Sequence, residues 1–179
     1  MEEIAERAEE FLSGVPDWIW DGRRLPVPVE DIADSHCSLL IREVEEMTSA
    51  PGCPELSDGQ TISGLLLPSR GEIWVNAAEA REWPTRRRFT IAHELGHWVL
   101  HQGGQSSLFC RHASVEAPEA GERQPLDPIE EEANHFAANL LMPAPLIARE
   151  YERDRDFGRL CAAFGASGAA MGRRLHQVI

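Results

Sequence analysis

Positive charge is scarce in this chain. Lys and Arg together number 17 against 30 Asp and Glu, a formal net charge of −13. So acidic a molecule repels phosphate backbones as a whole, which disfavours a general nucleic-acid binder and leaves only a locally basic face as a route to one. Cysteine is sparse as well: Cys37, Cys53, Cys110 and Cys161 form no Cys-x-x-Cys pair. Reduced thiols in a cytosolic protein are the expectation. Cys110 stands two residues before His112, but a lone pair of this kind is a weak metal motif. Long apolar runs are missing; the charge-free stretch 136–148 covers 13 residues, whereas a bilayer needs about 20. No membrane span is therefore expected. The start, MEEIAERAEE, has no basic stretch leading into an apolar one, so no secretory signal is expected and the cytoplasm is the expected location. There is no internal repeat and no low-complexity tract.

What is present suffices for one domain of ordinary size, 179 residues with 42% hydrophobic content. The pattern divides it into an N-terminal segment 1–59 of unassigned role, a core 60–143 and a helical region 144–179. Residues 1–13 carry Ile4, Ala8, Phe11 and Leu12 at helical spacing. In 14–37, prolines and glycines argue for loop, with a short strand entering a helix around PVPVEDIAD and with Trp18 and Trp20 as core anchors. Residues 48–60 read as loop. Two β-rich runs, 61–67 and Glu72–Asn76, flank Pro68-Ser69-Arg70-Gly71 and predict a hairpin. A helix follows over 85–101, then a long loop over 102–128, then a helix from Pro128 to Pro143. The tail reads as two short helices broken around Gly165. The predicted fold class is α+β with a small antiparallel sheet.

Residues 93–97 spell HELGH. On a helix, His93 and His97 share one face about 6 Å apart, a spacing that lets two imidazoles reach one Zn²⁺. Glu94 lies about 100° round the helix, free to act as proton acceptor for a water at the metal rather than as a ligand. Gly96 keeps the helix slim, on this reading to admit substrate.

A catalytic zinc needs a third protein ligand. The HExxHxxGxxH arrangement fails, because Leu100 and Gly103 occupy its Gly and last His positions. His101 lies too far along a straight helix to join both histidines, so its expected role is support through a hydrogen bond, or packing. That leaves a carboxylate from the second helix, IEEEANHFAANLLMP. Taking Ile129, Ala133, Phe136, Ala137 and Leu140 as the inward face, Glu130 lies about 60° from its centre, Glu132 about 100° and Glu131 about 160°. Glu130 is the expected ligand, with Asn134 one turn on as a brace.

Together RRRFTIAHELGHWVLH (86–101), EEEANHFAANLLMP (130–143), the strand GEIWVNAA and FGASGAAMGRRL (164–175) resemble the ImmA/IrrE family of zinc metallopeptidases. The resemblance covers roughly residues 60–179. It implies a zincin-like, thermolysin-type fold, a Zn²⁺ cofactor, and a ligand glutamate three residues before the Ala of the Ala-Asn pair, which is Glu130. It also implies a protein substrate, a helix-turn-helix repressor whose cleavage releases stress or mobile-element genes.

On this reading Glu94 shuttles the proton in peptide hydrolysis, and Tyr151, His112 and His135 are candidates for stabilising the oxyanion. Ile73, Trp74 and Val75 are the expected edge strand for an extended substrate. Two rivals remain: a zinc-containing binding module that sequesters a regulator without cleavage, and a DNA-binding tail at 164–175 using Arg173 and Arg174. Arg86-Arg87-Arg88 reads as a solvated helix flank, and no direct nucleic-acid contact is expected.

Overall fold

A computed structural model describes residues 2–51, 53, 60–101, 109–114 and 127–179. Helix α1 (Glu2–Ser13) forms as its spacing predicts, with Ala8 and Leu12 buried. Its apolar face meets a helix from the second half of the chain: the Phe11 ring lies edge-on to Phe136, centroids 5.8 Å apart. After α1 the backbone winds one tight turn, with the amides of Ile19 and Trp20 both donating to the Pro16 carbonyl. That turn points Ile19 and Trp20 inward and Trp18 outward. Trp20 is buried and its indole N–H donates to the Arg24 carbonyl at 2.8 Å, but Trp18 is 76% exposed and anchors no core.

The strand expected around PVPVEDIAD does not form, since Pro26 and Pro28 have no N–H for a ladder. A short helix, α2 (Val29–Asp31), takes its place and runs on through a π-turn at Ile32–His36. Strand β1 (Leu40–Val44) then appears where the periodicity gave no sign of it.

The sheet has four strands in the order β1-β3-β2-β4. The hairpin is present: β2 (Gln60–Leu67) and β3 (Glu72–Asn76) pair antiparallel, Leu67 opposite Glu72. On the other side of β3, however, β1 pairs parallel, Leu40 opposite Glu72 through Val44 opposite Asn76. The sheet is therefore mixed, not antiparallel. β4 (Phe109–Ser114) pairs antiparallel with β2, inside the stretch that composition marks as loop. β3 thus lies between two partners, so Ile73, Trp74 and Val75 present no free edge to a substrate. They are core residues instead: Ile73 and Val75 join the main apolar cluster, and Trp74 joins Met47, Ala50, Ile62, Leu65 and Leu67 on the opposite face.

Asn76 ends β3 and caps α3 (Ala77–Glu82), its Oδ1 accepting from the amides of Ala78 and Glu79. The long helix α4 (Pro84–Leu100) crosses the sheet against β2 and β3 and packs on α5 (Pro128–Leu141). Pro84 and Pro128 stand in the first turns of their helices, where the missing N–H is no loss. The tail makes three helices rather than two: α6 (Ala144–Arg153), α7 (Phe157–Phe164) and α8 (Gly168–Val178). Gly165, at φ 59°, breaks the last two as expected.

Arg174 on α8 is 7% exposed; its Nε donates to the Met142 carbonyl at 2.9 Å and an Nη to Asn139 Oδ1 at 2.7 Å. It fastens α8 to the end of α5 and is not available to a phosphate, which removes half of the basic pair behind the DNA-binding rival. No helix among the described residues is long and apolar enough to cross a membrane.

One apolar cluster runs from Ala8 on α1 to Met171 on α8, taking in Val27, Val29, Ile32 and Leu39. The N-terminal segment is thus part of the same core as α4 and α5. Ala8→Asp, which buries a lone carboxylate at a fully enclosed site, should destabilise the protein by about 3 kcal/mol or more. Urea unfolding measures this, and an unchanged midpoint would show that α1 is not docked.

Candidate metal centre

The face of α4 that the HELGH spacing selects is buried. His93 and His97 are each 1% exposed and Glu94 is fully enclosed. Three donor atoms converge there. His93 Nε2 and His97 Nε2 lie 3.0 Å apart, His93 Nε2 is 3.1 Å from Glu130 Oε2, and His97 Nε2 is 3.2 Å from Glu130 Oε1. Among the described residues this trio is the one set of three His, Cys, Asp or Glu side chains with donor atoms close enough to share an ion. In a tetrahedron of 2.0–2.1 Å bonds, neighbouring ligand atoms are about 3.3 Å apart, so the spacing fits a first-row divalent metal with one position left open.

Glu130 reaches the histidines because α5 and α4 touch at their backbones. A methyl group on Gly96 would lie 3.0 Å from Ala133 Cα and 3.1 Å from the Ala133 carbonyl oxygen. Gly96 therefore faces α5 and lets the helices close; it does not open a way for substrate. Of the three glutamates Glu130 is the one whose carboxylate lies against both histidines, the side the wheel selects, although Ile129, one of its inward markers, is 41% exposed. Glu131 turns to His135 at 3.8 Å and Glu132 to His101 at 3.7 Å. Burial opposes ionisation of Glu130, but hydrogen bonds and positive charge from His93 and His97 outweigh it and bring the carboxyl down to about 2. The group is a carboxylate throughout the neutral range.

Asn134 lies against the first histidine: its Oδ1 is 3.1 Å from His93 Nδ1. With Nδ1 carrying the proton, Nε2 turns a lone pair to the centre. His101 stands one step back. Its ring lies 5.5 Å from that of His97, and it donates to the Ile129 backbone, tying the end of α4 to the residue before Glu130. Burial, then the charge of His97, holds its pKa below the ordinary histidine value.

Glu94 points to the sheet. The backbone of β2 comes so close that a methyl on Gly64 would lie 2.7 Å from Glu94 Oε1 and 2.4 Å from Thr90 Cγ2. Gly64 follows a register shift between β2 and β4, with Ser63 taken out of the pairing. This irregularity went unread in the sequence; an isolated glycine within a β-rich run is its signal.

The proposed oxyanion donors do not gather here in a common way. Tyr151 lies on α6 with the Arg155 guanidinium 5.3 Å over its ring, and His135 pairs with Glu131 on its own helix. The side chains of His112 and Cys110 lie outside the described residues. Burial raises the thiol pKa of Cys37, Cys53 and Cys161, that of Cys37 to about 11, so none of these three is an activated nucleophile.

A helix carrying two histidines and an intervening glutamate, set between a small sheet and a second helix that returns a carboxylate, is the arrangement of a zincin-like metallopeptidase fold. The profile of the IrrE N-terminal-like domain, Peptidase_M78, matches residues 56–176, well over half of the sequence, and the chain belongs to that metalloprotease family. Within the matched relatives, the radiation response metalloprotease IrrE of Deinococcus radiodurans is 41% identical over 99 residues, 55% of this chain and 27% of the relative. The match thus spans about a quarter of that protein's length.

Gly96→Ala separates two opposed effects. Alanine gains about 1 kcal/mol in helix propensity, but its methyl must push α5 away from α4, which costs about 1–3 kcal/mol. Net destabilisation in urea is the expected result; a stabilised variant would show that the helices are not in backbone contact.

Proposed function

We propose that the protein is a zinc-dependent endopeptidase that cuts a helix-turn-helix repressor. The observation that carries the peptidase reading is the enclosed trio His93, His97 and Glu130, donor atoms 3.0–3.2 Å apart, beside a fully buried Glu94 on the same helix. His93, His97 and Glu130 hold the ion. When bound, zinc supplies a Lewis acid that polarises the peptide carbonyl and makes a water acidic near neutral pH. Asn134 keeps His93 in the tautomer that donates Nε2 to the centre. Glu94, held between α4 and the backbone of β2, accepts the proton of the attacking water and delivers it to the leaving amine.

Because β3 is interior, the strand that receives an extended substrate is β4. It forms the sheet edge on the β2 side, and β2 and β4 both contact α4. Its outer backbone groups are available for pairing among the described residues. The repressor as substrate rests on the family resemblance. The similarity to the Deinococcus radiation response metalloprotease supports proteolysis in a stress setting. A net charge of −13 favours encounter with a basic DNA-binding protein.

Elemental analysis of purified variants tests the ligand set. His93→Ala, His97→Ala and Glu130→Ala should lose zinc, while Glu131→Ala and Glu132→Ala keep it. A metal-deficient Glu132→Ala with a zinc-replete Glu130→Ala would overturn the assignment.

Mixing the zinc-loaded protein with helix-turn-helix repressors of the same genome should give a single cut in one of them by mass spectrometry. Glu94→Gln should retain zinc yet cleave about 10²–10⁴-fold more slowly. Cleavage at the native rate by Glu94→Gln would remove the proton-transfer role.

A further inference from the structure

Two cavities of about 370 and 340 Å³ lie side by side where α4, α5 and α8 meet, and share Phe89, Met142, Ala170 and Arg173 in their walls. Together they form one trough. At its inner end stands Asn134, the side chain that holds His93. At its outer end stands Trp83, 44% exposed before the first turn of α4. Phe89 is one helical turn before His93, about 6 Å along the axis. The trough thus borders His93 through Phe89, one turn before it on α4, and through Asn134, which contacts its ring.

The lining is specific in chemistry. Phe89, Met142 and Ala170 make an apolar floor, and each cavity is large enough for a Leu or Phe side chain. Arg173 supplies the charge. It is exposed, and among the described residues no carboxylate pairs with it. Its neighbours differ: Arg86 pairs with Glu79 at 3.3 Å, Arg87 with Glu30 and Glu43, and Arg174 is buried on Met142 and Asn139. On a chain of net charge −13 an uncompensated guanidinium over an apolar floor is a local exception.

We propose that this trough is a specificity subsite, built on the peptidase reading of the metal centre, that accepts a bulky apolar substrate residue with an acidic residue beside it. The apolar side chain fills the floor at Phe89 and Met142, and the neighbouring carboxylate pairs with Arg173. A half-exposed pair of this kind is worth up to about fivefold in kcat/KM.

The test uses the zinc-loaded full chain and a library of end-capped decapeptides with randomised positions, cleaved bonds being identified by mass spectrometry. Bonds next to Leu, Met or Phe should be cut about fivefold faster with Asp or Glu one or two residues further on than with Arg or Lys there. Arg173→Glu, an exposed substitution, should invert that charge preference. Ala170→Leu, which takes up floor space, should shift the preference from bulky to small residues. An unchanged charge profile in Arg173→Glu overturns the proposal.

If the native protein cuts no peptide, it is the peptidase reading that fails, and the trough is judged by binding alone. Fluorescein-labelled decapeptides with Leu-Glu or Leu-Lys at the centre are then titrated into zinc-loaded Glu94→Gln. Tighter binding of Leu-Glu that disappears in Arg173→Glu upholds the subsite, and equal binding of the two peptides sinks it.

Discussion

The contact of α4 with α5 at Gly96 and Ala133 is what the rest of the site depends on. Side chains at a helix interface ordinarily keep axes about 8–10 Å apart. A glycine facing the partner's backbone brings them closer, and only then does a glutamate at the start of α5 bridge two imidazoles one turn apart on α4. The same approach sets Asn134, one turn after Glu130, against the other nitrogen of His93. A single glycine thereby sets Glu130 and Asn134 against the two histidines together. On the far side of α4 the backbone of β2 performs the equivalent service at Gly64, holding Glu94 from the sheet. The helix that carries the chemistry is gripped from both sides at positions where no side chain intervenes.

The N-terminal segment enters this design through α5. Residues before 56 fall outside the match to the family profile, yet α1 covers the outer face of α5 through Phe11 and Phe136, and β1 completes one edge of the sheet. α5 is thus pressed between α4 and α1, and its register relative to the histidines is set by both. Arg174 fixes its other end from α8.

The convergence of His93, His97 and Glu130 was legible in the sequence because its parts are local in helical terms. His93 with His97, and Glu130 with Asn134, are each one turn apart, and turn-spacing survives translation from letters to space without knowledge of the fold. The hairpin was legible for the same reason, its turn residues lying between its strands. What stayed hidden was set by pairing between distant segments. β1 and β4 are short and become strands only because β3 and β2 offer edges, so β3 read as an edge strand when it is interior. Trp18 and Ile129 carried the apolar signal but face outward, the first because a tight turn at Pro16 rotates it away, the second because it sits at the opening of α5. Gly96 was recognised as necessary but for the wrong neighbour, since the sequence does not say which helix a glycine faces.

The docking of α1 on α5 has a consequence for how the chain reaches its native state. Phe11 and Phe136 stand far apart in the sequence, and loop closure over such distances costs entropy before any contact repays it. During synthesis α1 leaves the ribosome well before α5, with an apolar face and no surface to cover it, and its partner emerges only after the whole sheet and α4. The parallel pairing of β1 with β3 imposes a similar wait on the next segment. Acidic residues Glu2, Glu3, Glu6, Glu9 and Glu10 crowd the opposite face of α1. In the folded protein they are only a solvated surface; in the growing chain their mutual repulsion keeps one nascent α1 from clustering with another until α5 arrives.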